Sequence, residues 1–242
     1  KILKNFDKKY EFYYWFRVKK EAQIIIQNKG YDEGIDYLSS KFSKIKNPNI
    51  KMIFDIANFY KNSKNYEKAI EYYTEIISSL DDNSEIKSDL LYRRGGSYER
   101  LGNYQKADKD LKYSLRINPD DAYVLNYLAY SWLERDYKID EAMKMLEKAY
   151  ALRSNDPYIT DSIGWAYYLI DNYTEAEKYI KKAVELMPDD PTVNDHYGDI
   201  LWKLNRNIQA RYFWNYVLKL EDVDEDIKKK INIKITEGIN NS

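Results

Sequence analysis

The chain of 242 residues has no cysteine, one histidine, five prolines and eight glycines. Without cysteine there is no disulfide, no thiolate nucleophile and no thiolate metal site. So little proline and glycine is sparse for an all-β or loop-rich protein. The 39 basic side chains against 40 acidic ones leave a formal charge of −1. That balance gives no electrostatic footprint for a nucleic-acid backbone. No apolar run approaches the ~18 residues of a membrane span. No phosphate loop, nucleophile triad or zinc motif occurs. The missing cysteine leaves the compartment open, since a reducing cytosol and a disulfide-free envelope location both fit. The chain begins at Lys1 rather than Met, which reads as a fragment or a mature chain.

What is present is a period. Residues 157–190 place Gly164, Tyr167, Ala176, Ala183 and Pro188 at positions 8, 11, 20, 27 and 32 of a 34-residue unit, and 191–224 follows without a gap, with Gly198 and Ala210 at 8 and 20. Upstream, 88–121 carries Gly95, Tyr98, Ala107, Leu111, Ser114 and Pro119 at 8, 11, 20, 24, 27 and 32. Residues 50–83 carry Ala57, Tyr60, Ala69, Tyr73 and Ile76 at 8, 11, 20, 24 and 27, and 15–48 follows the pattern more loosely through Ala22, Ile25, Gly34 and Leu38. The unit 122–156 is one residue longer, and the extra residue is expected within 135–140, in a turn where insertion is cheap. Length alone would allow one or two globular domains; the repeats replace that with one elongated array.

The spacing predicts two helices per unit. Residues three and four apart share a helix face, so 4, 8 and 11 line the first helix and 20, 24 and 27 the second. Small residues at 8, 20 and 27 let two backbones approach; bulky ones at 4, 11 and 24 are expected to fill the space between one pair and the next. A single hairpin cannot bury its apolar face, so neighbours must stack. Asp156-Pro157 and Asp190-Pro191 read as an N-cap followed by proline at the first helical position, and Ser84 reads as another N-cap. Tyr31, Tyr66, Tyr104 and Tyr173 all fall at position 17 and are expected to pack. Residues 1–14, with Phe6, Tyr10, Phe12, Tyr13 and Tyr14, read as a helical segment that closes the first unit as the start of its first helix, or is the end of a truncated preceding one. At the other end, Ile227, Ile231 and Ile235 recur every fourth residue, with Gly238 as a C′ residue, so 225–242 reads as a capping helix and tail.

The period and its pattern of small residues resemble the tetratricopeptide repeat (TPR). The likeness covers about residues 15–224. The runs Asn126 to Trp132, Asp161 to Tyr168 and Asn194 to Trp202 are similar to the C-terminal repeats of bacterial members, some of them exported or envelope-associated. It implies an all-α, right-handed superhelical solenoid of about six hairpins plus the cap. It also implies a scaffold that binds an extended peptide or a partner helix in a concave groove and performs no chemistry. Carried over by register, the groove residues are Asn126, Tyr127, Tyr130, Asp161, Ser162, Trp165, Tyr168, Asp195, Asp199 and Trp202, within a longer set that includes Tyr123, Tyr158, Leu169 and His196. A second reading is a self-assembly module in which copies form homo-oligomers through their ends or grooves. The carboxylate clamp of chaperone adaptors needs Lys and Asn residues that no three consecutive units supply: Asn58 fits, but Phe54 and Arg93 do not.

At groove positions the first three units hold Lys19, Lys20, Lys51, Lys61, Arg93 and Arg100 against Asp55, Asp89 and Glu99. The last three hold Glu134, Asp161, Asp195 and Asp199 against Lys203, with His196 neutral. The expectation is that the C-terminal half takes a basic segment. His196 beside Asp195 and Asp199 is a weak metal or acid–base signal, because no further ligand converges on it. The 26 tyrosines and five tryptophans could stack on bases, but the missing basic patch and their core-like register argue for packing. No catalytic residue, cofactor, metal or nucleic-acid partner is assigned.

Overall fold

A computed structural model describes residues 2–82, 84–221 and 223–239, with side chains from residue 13 onward. Phe6, Tyr10 and Phe12 of the N-terminal expectation, Asn83, and the tail at 240–242 lie outside the described side chains or residues. The described residues are all-α: α1 (Ile2–Lys29), α2 (Tyr31–Phe42), α3 (Ile50–Asn62), α4 (Tyr66–Ser78), α5 (Glu85–Arg100), α6 (Tyr104–Ile117), α7 (Ala122–Leu133), α8 (Ile139–Leu152), α9 (Pro157–Leu169), α10 (Tyr173–Leu186), α11 (Pro191–Lys203), α12 (Asn207–Val217) and α13 (Glu225–Glu237). They form two compact units, 1–119 with α1–α6 and 120–242 with α7–α13. In each unit odd and even helices pair as hairpins, and the second helix of one hairpin touches the first helix of the next. In the second unit the first helices also touch one another, α7 with α9 and α9 with α11.

Helix starts are fixed by side chains that accept the orphan backbone N–H groups. Asn49, Asn65, Asn103 and Asn172 cap α3, α4, α6 and α10, and Asp121, Asp156 and Asp190 cap α7, α9 and α11. Pro157 and Pro191 open the helices that follow their aspartates. Ser84 occupies the N-cap of α5, but its hydroxyl makes no capping bond. The extra residue of the fourth hairpin falls between Leu133 and Ile139, where Asp136 and Lys138 take positive φ values of 48° and 50°. Residues 2–14 form one continuous helix with 15–29 as α1, because no helix breaker intervenes before Gly30 at φ 105°.

The small residue at position 8 has a specific partner. A Cβ on Gly164 would stand 2.6 Å from Cγ1 of Ile180, and one on Gly95 3.0 Å from Cγ of Leu111. One on Gly198 would fall inside the indole of Trp214. Each partner is position 24 of the same unit, so the bulky residue there seals its own hairpin, and Ile180 also joins the buried cluster of Tyr197 and Ile200 from the next. Leu111, Ile180 and Trp214 are all completely buried.

The first unit buries Trp15, Val18, Leu38, Met52 and Ile56 in one cluster and Ile53, Tyr73, Ile76, Leu90 and Leu91 in a second. The second unit ends in a core of Tyr197, Ile200, Leu201, Trp214, Val217 and Ile231. Burying a side chain of this size stabilises by roughly 1.5–3 kcal/mol. Ile231 comes from α13, with Ile227 and Ile235 half-buried beside it, so α13 covers apolar surface that α12 would otherwise expose. The position-17 tyrosines do not all pack. Tyr31 and Tyr104 are exposed, because this position opens the second helix at the hairpin turn, and Tyr66 and Tyr173 are half-buried.

Candidate functional site

The capped starts of α9 and α11 set the phase of the face assigned to recognition. Asp156 accepts from Ile159 N at 3.1 Å, and Asp190 accepts from Thr192 N at 2.9 Å and Val193 N at 3.0 Å. From those starts Asp161, Trp165 and Tyr168 follow at i, i+4 and i+7 along one face of α9, and Asp195, Asp199 and Trp202 do the same on α11. Asn126, Tyr127 and Tyr130 occupy the corresponding stretch of α7.

The side chains divide into two groups. Tyr127, Tyr130, Trp165, Tyr168 and Trp202 are half-buried, with Tyr123, Tyr158 and Leu169 exposed on the same first helices. Asp161, Ser162 and Asp199 were expected to line an open groove and are instead buried, at 8%, 7% and 6% exposure. Each is spent on an internal bond. Ser162 Oγ donates to the Tyr158 carbonyl at 2.9 Å. Asp161 holds His196 Nδ1 at 2.9 and 3.1 Å. Asp199 accepts from Trp214 Nε1 at 3.1 Å and from Lys234 Nζ at 2.8 Å on each oxygen. The same ammonium donates to Asp195 at 2.6 Å.

Lys234 is the residue that reading by register did not find. It lies in α13, 35 residues beyond Asp199, and no spacing within a 34-residue unit signals that pairing. Burial opposes its cation, but Asp199 and Asp195 outweigh that and raise its pKa. Asp199 is pushed up to about 6, first by burial and then by the neighbouring charge of Asp195, with Lys234 pulling the other way. Next to it Gly238 takes φ 77°, and a Cβ there would fall inside the Trp202 ring. Glycine is therefore required at this position twice over, for its backbone conformation and for its missing side chain. The Trp202 ring is covered on another side by the Arg211 guanidinium, 4.9 Å from its centroid.

His196 is the hinge of the aromatic arrangement. Its ring stacks on Trp165 with centroids 3.9 Å apart and planes 15° from parallel, and Trp165 stacks in turn on Tyr168 at 4.5 Å and 14°. Trp165 Nε1 donates to Glu134 at 3.1 Å, so the indole is fixed by α7, α9 and α11 together. Burial alone would lower the imidazole pKa; Asp161 first, then Asp195 and Asp199, reverse the sign and raise it. The protonated ring, which that shift favours, lies against a carboxylate and an indole face, an arrangement that gains from cation–π attraction. Burial also raises the Tyr130 and Tyr168 hydroxyls, aided by the acids beside them, so both stay protonated donors. Asn126 Oδ1 is shut from solvent with no hydrogen-bond partner among the described residues. No group of three or more metal-ligating side chains that could hold an ion occurs among the described residues, and no described helix is long and apolar enough to cross a membrane.

Known proteins share this arrangement of helices. A family model described as tetratricopeptide repeat matches residues 19–223. A TPR repeat-containing protein of Pseudomonas aeruginosa is 27% identical over 149 residues, 62% of this chain and 25% of that protein. One from the archaeon Methanocaldococcus jannaschii is 39% identical over 80 residues, 32% of this chain and 14% of that protein. The chain thus spans a quarter or less of these relatives. Among solved structures, a tetratricopeptide repeat protein from Parabacteroides merdae superposes with a TM-score of 0.67 at 16% identity, covering 90% of this chain and 86% of that one. Pseudomonas aeruginosa pilF gives 0.63 at 18% identity, covering 78% and 85%.

Proposed function

Because this chain belongs to the tetratricopeptide repeat family, whose fold is generally a non-catalytic protein-interaction module, we propose that the first-helix face of α7, α9 and α11 is a groove that binds an extended peptide or a helix of a partner protein. The observation that carries this reading is the Tyr168–Trp165–His196 stack, tied to Glu134 and Asp161. Aromatic rings that are already immobile lose little conformational freedom when a partner docks, and they present large contact area with polar tips. Tyr123, Tyr158 and Leu169 extend the face outward with exposed surface. In this reading Asp161, Asp195 and Asp199 act as positioning residues. They hold His196 and Lys234, and through them the rings, and they are not the groups a partner touches.

A peptide or fragment library selected on the wild-type chain and on the Tyr127→Ala/Trp165→Ala double variant tests it. One class of wild-type ligands is expected to lose at least about tenfold in affinity on the variant, as for central aromatic anchors worth about 2 kcal/mol or more. Equal binding of every selected ligand to both, with folding of the variant verified by circular dichroism, would remove the face of α7, α9 and α11 as the site.

A further inference from the structure

Charge on the first-helix faces reads differently once the bonds these groups already make are considered. In the second unit the acids are engaged from within: Glu134 by Trp165, Asp161 by His196, and Asp195 and Asp199 by Lys234. They are less open to a basic partner than the sequence leads one to expect. In the first unit the same positions carry six cations against three anions, and every anion is engaged there. Lys19 bonds Asp55 at 2.7 Å, Arg93 bonds Asp89 at 2.8 Å, and Arg100 lies 3.7 Å from Glu99. Six cations against three anions leave the face positive with those pairs made.

We infer that the first-helix face of residues 1–119 carries a site for an acidic peptide, in which Lys61, Arg93 and Arg100 take its carboxylates and the carboxamides of an adjoining cleft take its backbone. This rests on the scaffold reading and adds to it the chemistry of a partner. Asn58 joins the two parts. Its Oδ1 accepts from Tyr73 at 2.8 Å and from Arg93 Nη1 at 3.4 Å, which brings the faces of α3 and α5 together. Lys61 follows Asn58 by one turn, and Arg100 follows Arg93 by two, so the three cations share this surface. Lys61 is half-buried and makes no ion pair among the described residues. Burial first, then Arg93, hold its pKa below the ordinary lysine value, with Asp89 pulling the other way and Arg100 adding a smaller push. An ammonium held that way gains from an incoming carboxylate, which supplies the counter-charge the face lacks. Arg93 and Arg100 already meet Asp89 and Glu99, but a guanidinium carries five N–H donors, so each keeps donors for a further carboxylate, and Arg93 is steadied over the Phe54 ring at 5.2 Å.

On the other side of Asn58, a cleft of about 540 Å³ opens between α1 and α3, lined among others by Gln23, Gln27, Asn58 and Asn62. Each carboxamide offers a donor and an acceptor without charge, the complement of a peptide N–H and C=O. The side chains of Gln23, Gln27 and Asn62 are exposed and make no hydrogen bond among the described residues, so they are open to a ligand. The charged pair inside the cleft, Lys19 with Asp55, is closed on itself and tied to Trp15 Nε1 at 3.0 Å.

A random peptide library displayed on phage and selected on the full chain provides the test, with winning sequences then made as free labelled peptides for fluorescence anisotropy. One class of winners is expected to be rich in Asp and Glu. Its affinity should fall at least about tenfold on Lys61→Gln/Arg100→Gln and decline with added salt. The lack of an acidic class, or acidic winners bound equally by Lys61→Gln/Arg100→Gln, overturns the inference. If the other winners depend on Tyr127 and Trp165, the scaffold reading survives that result. A selection that yields no binder at all overturns both.

Discussion

His196 is the one imidazole in the chain, and its surroundings give it a readable pH dependence. The raised pKa means that the folded chain holds the proton more tightly than the unfolded chain does. The stability from that difference is fully present below the unfolded value of about 6.5 and is lost as pH rises through the folded value. The groups facing the ring are Asp161 from α9, Asp195 and Asp199 from its own helix, and Lys234 from α13, which offsets part of their field. Thermal melts should therefore move to lower temperature as pH rises above about 6.5, and His196→Gln should flatten that slope. A proton NMR titration of the single imidazole giving a midpoint below about 6.5 would contradict the assignment. The same residue marks a limit of reading by register. Position 6 is a groove position in the family pattern, but what decides whether a side chain there meets solvent or a neighbour is the residue 35 positions earlier.

At the scale of helices, α13 is held by a short apolar stripe and one ionic anchor. Ile231 is its only buried apolar side chain among those described, and Lys234 is its tie to α11. Lys234→Met should destabilise the chain by about 3–5 kcal/mol, because Asp199 is left buried without its cation. Asp199→Asn in the same chain should recover a substantial part of that loss by removing the stranded charge. Chemical denaturation of the wild type, the single variant and the double variant separates the terms. If the double variant is as unstable as the single, the loss does not come from a stranded Asp199 charge. The existence and phase of the helices were legible in advance, because Asp156-Pro157, Asp190-Pro191 and the alternation of Gly, Ala and large apolar residues act within one turn or one hairpin. The docking of α13 was legible only as an isoleucine stripe. Lys234 looks like any lysine on a solvated face until the helix is laid against Asp195 and Asp199. Tyr31 and Tyr104 failed for a related reason: sharing a register position places a residue on the helix but does not say what stands opposite it.

For the whole molecule, the two compact units have separate apolar clusters, those of the first lying within 1–119 and that around Trp214 lying within 120–242. Each is expected to fold when expressed alone, giving helical circular dichroism and a cooperative melt. Only 120–242 should reproduce the pH-dependent melt above about 6.5, since it carries His196 and both acids of that helix. A 1–119 fragment that shows the same slope, or a 120–242 fragment that stays unfolded, would break this division.

The match between Gly198 and Trp214, and its counterparts Gly95 with Leu111 and Gly164 with Ile180, has a consequence for how such a chain grows. Lock and key sit sixteen residues apart inside one period, so a duplicated or transplanted cassette carries both halves of its own seal. Units can then be copied, and each can drift in the size of the pair it carries, a small gap here and an indole there. The neighbours do not need to change in step.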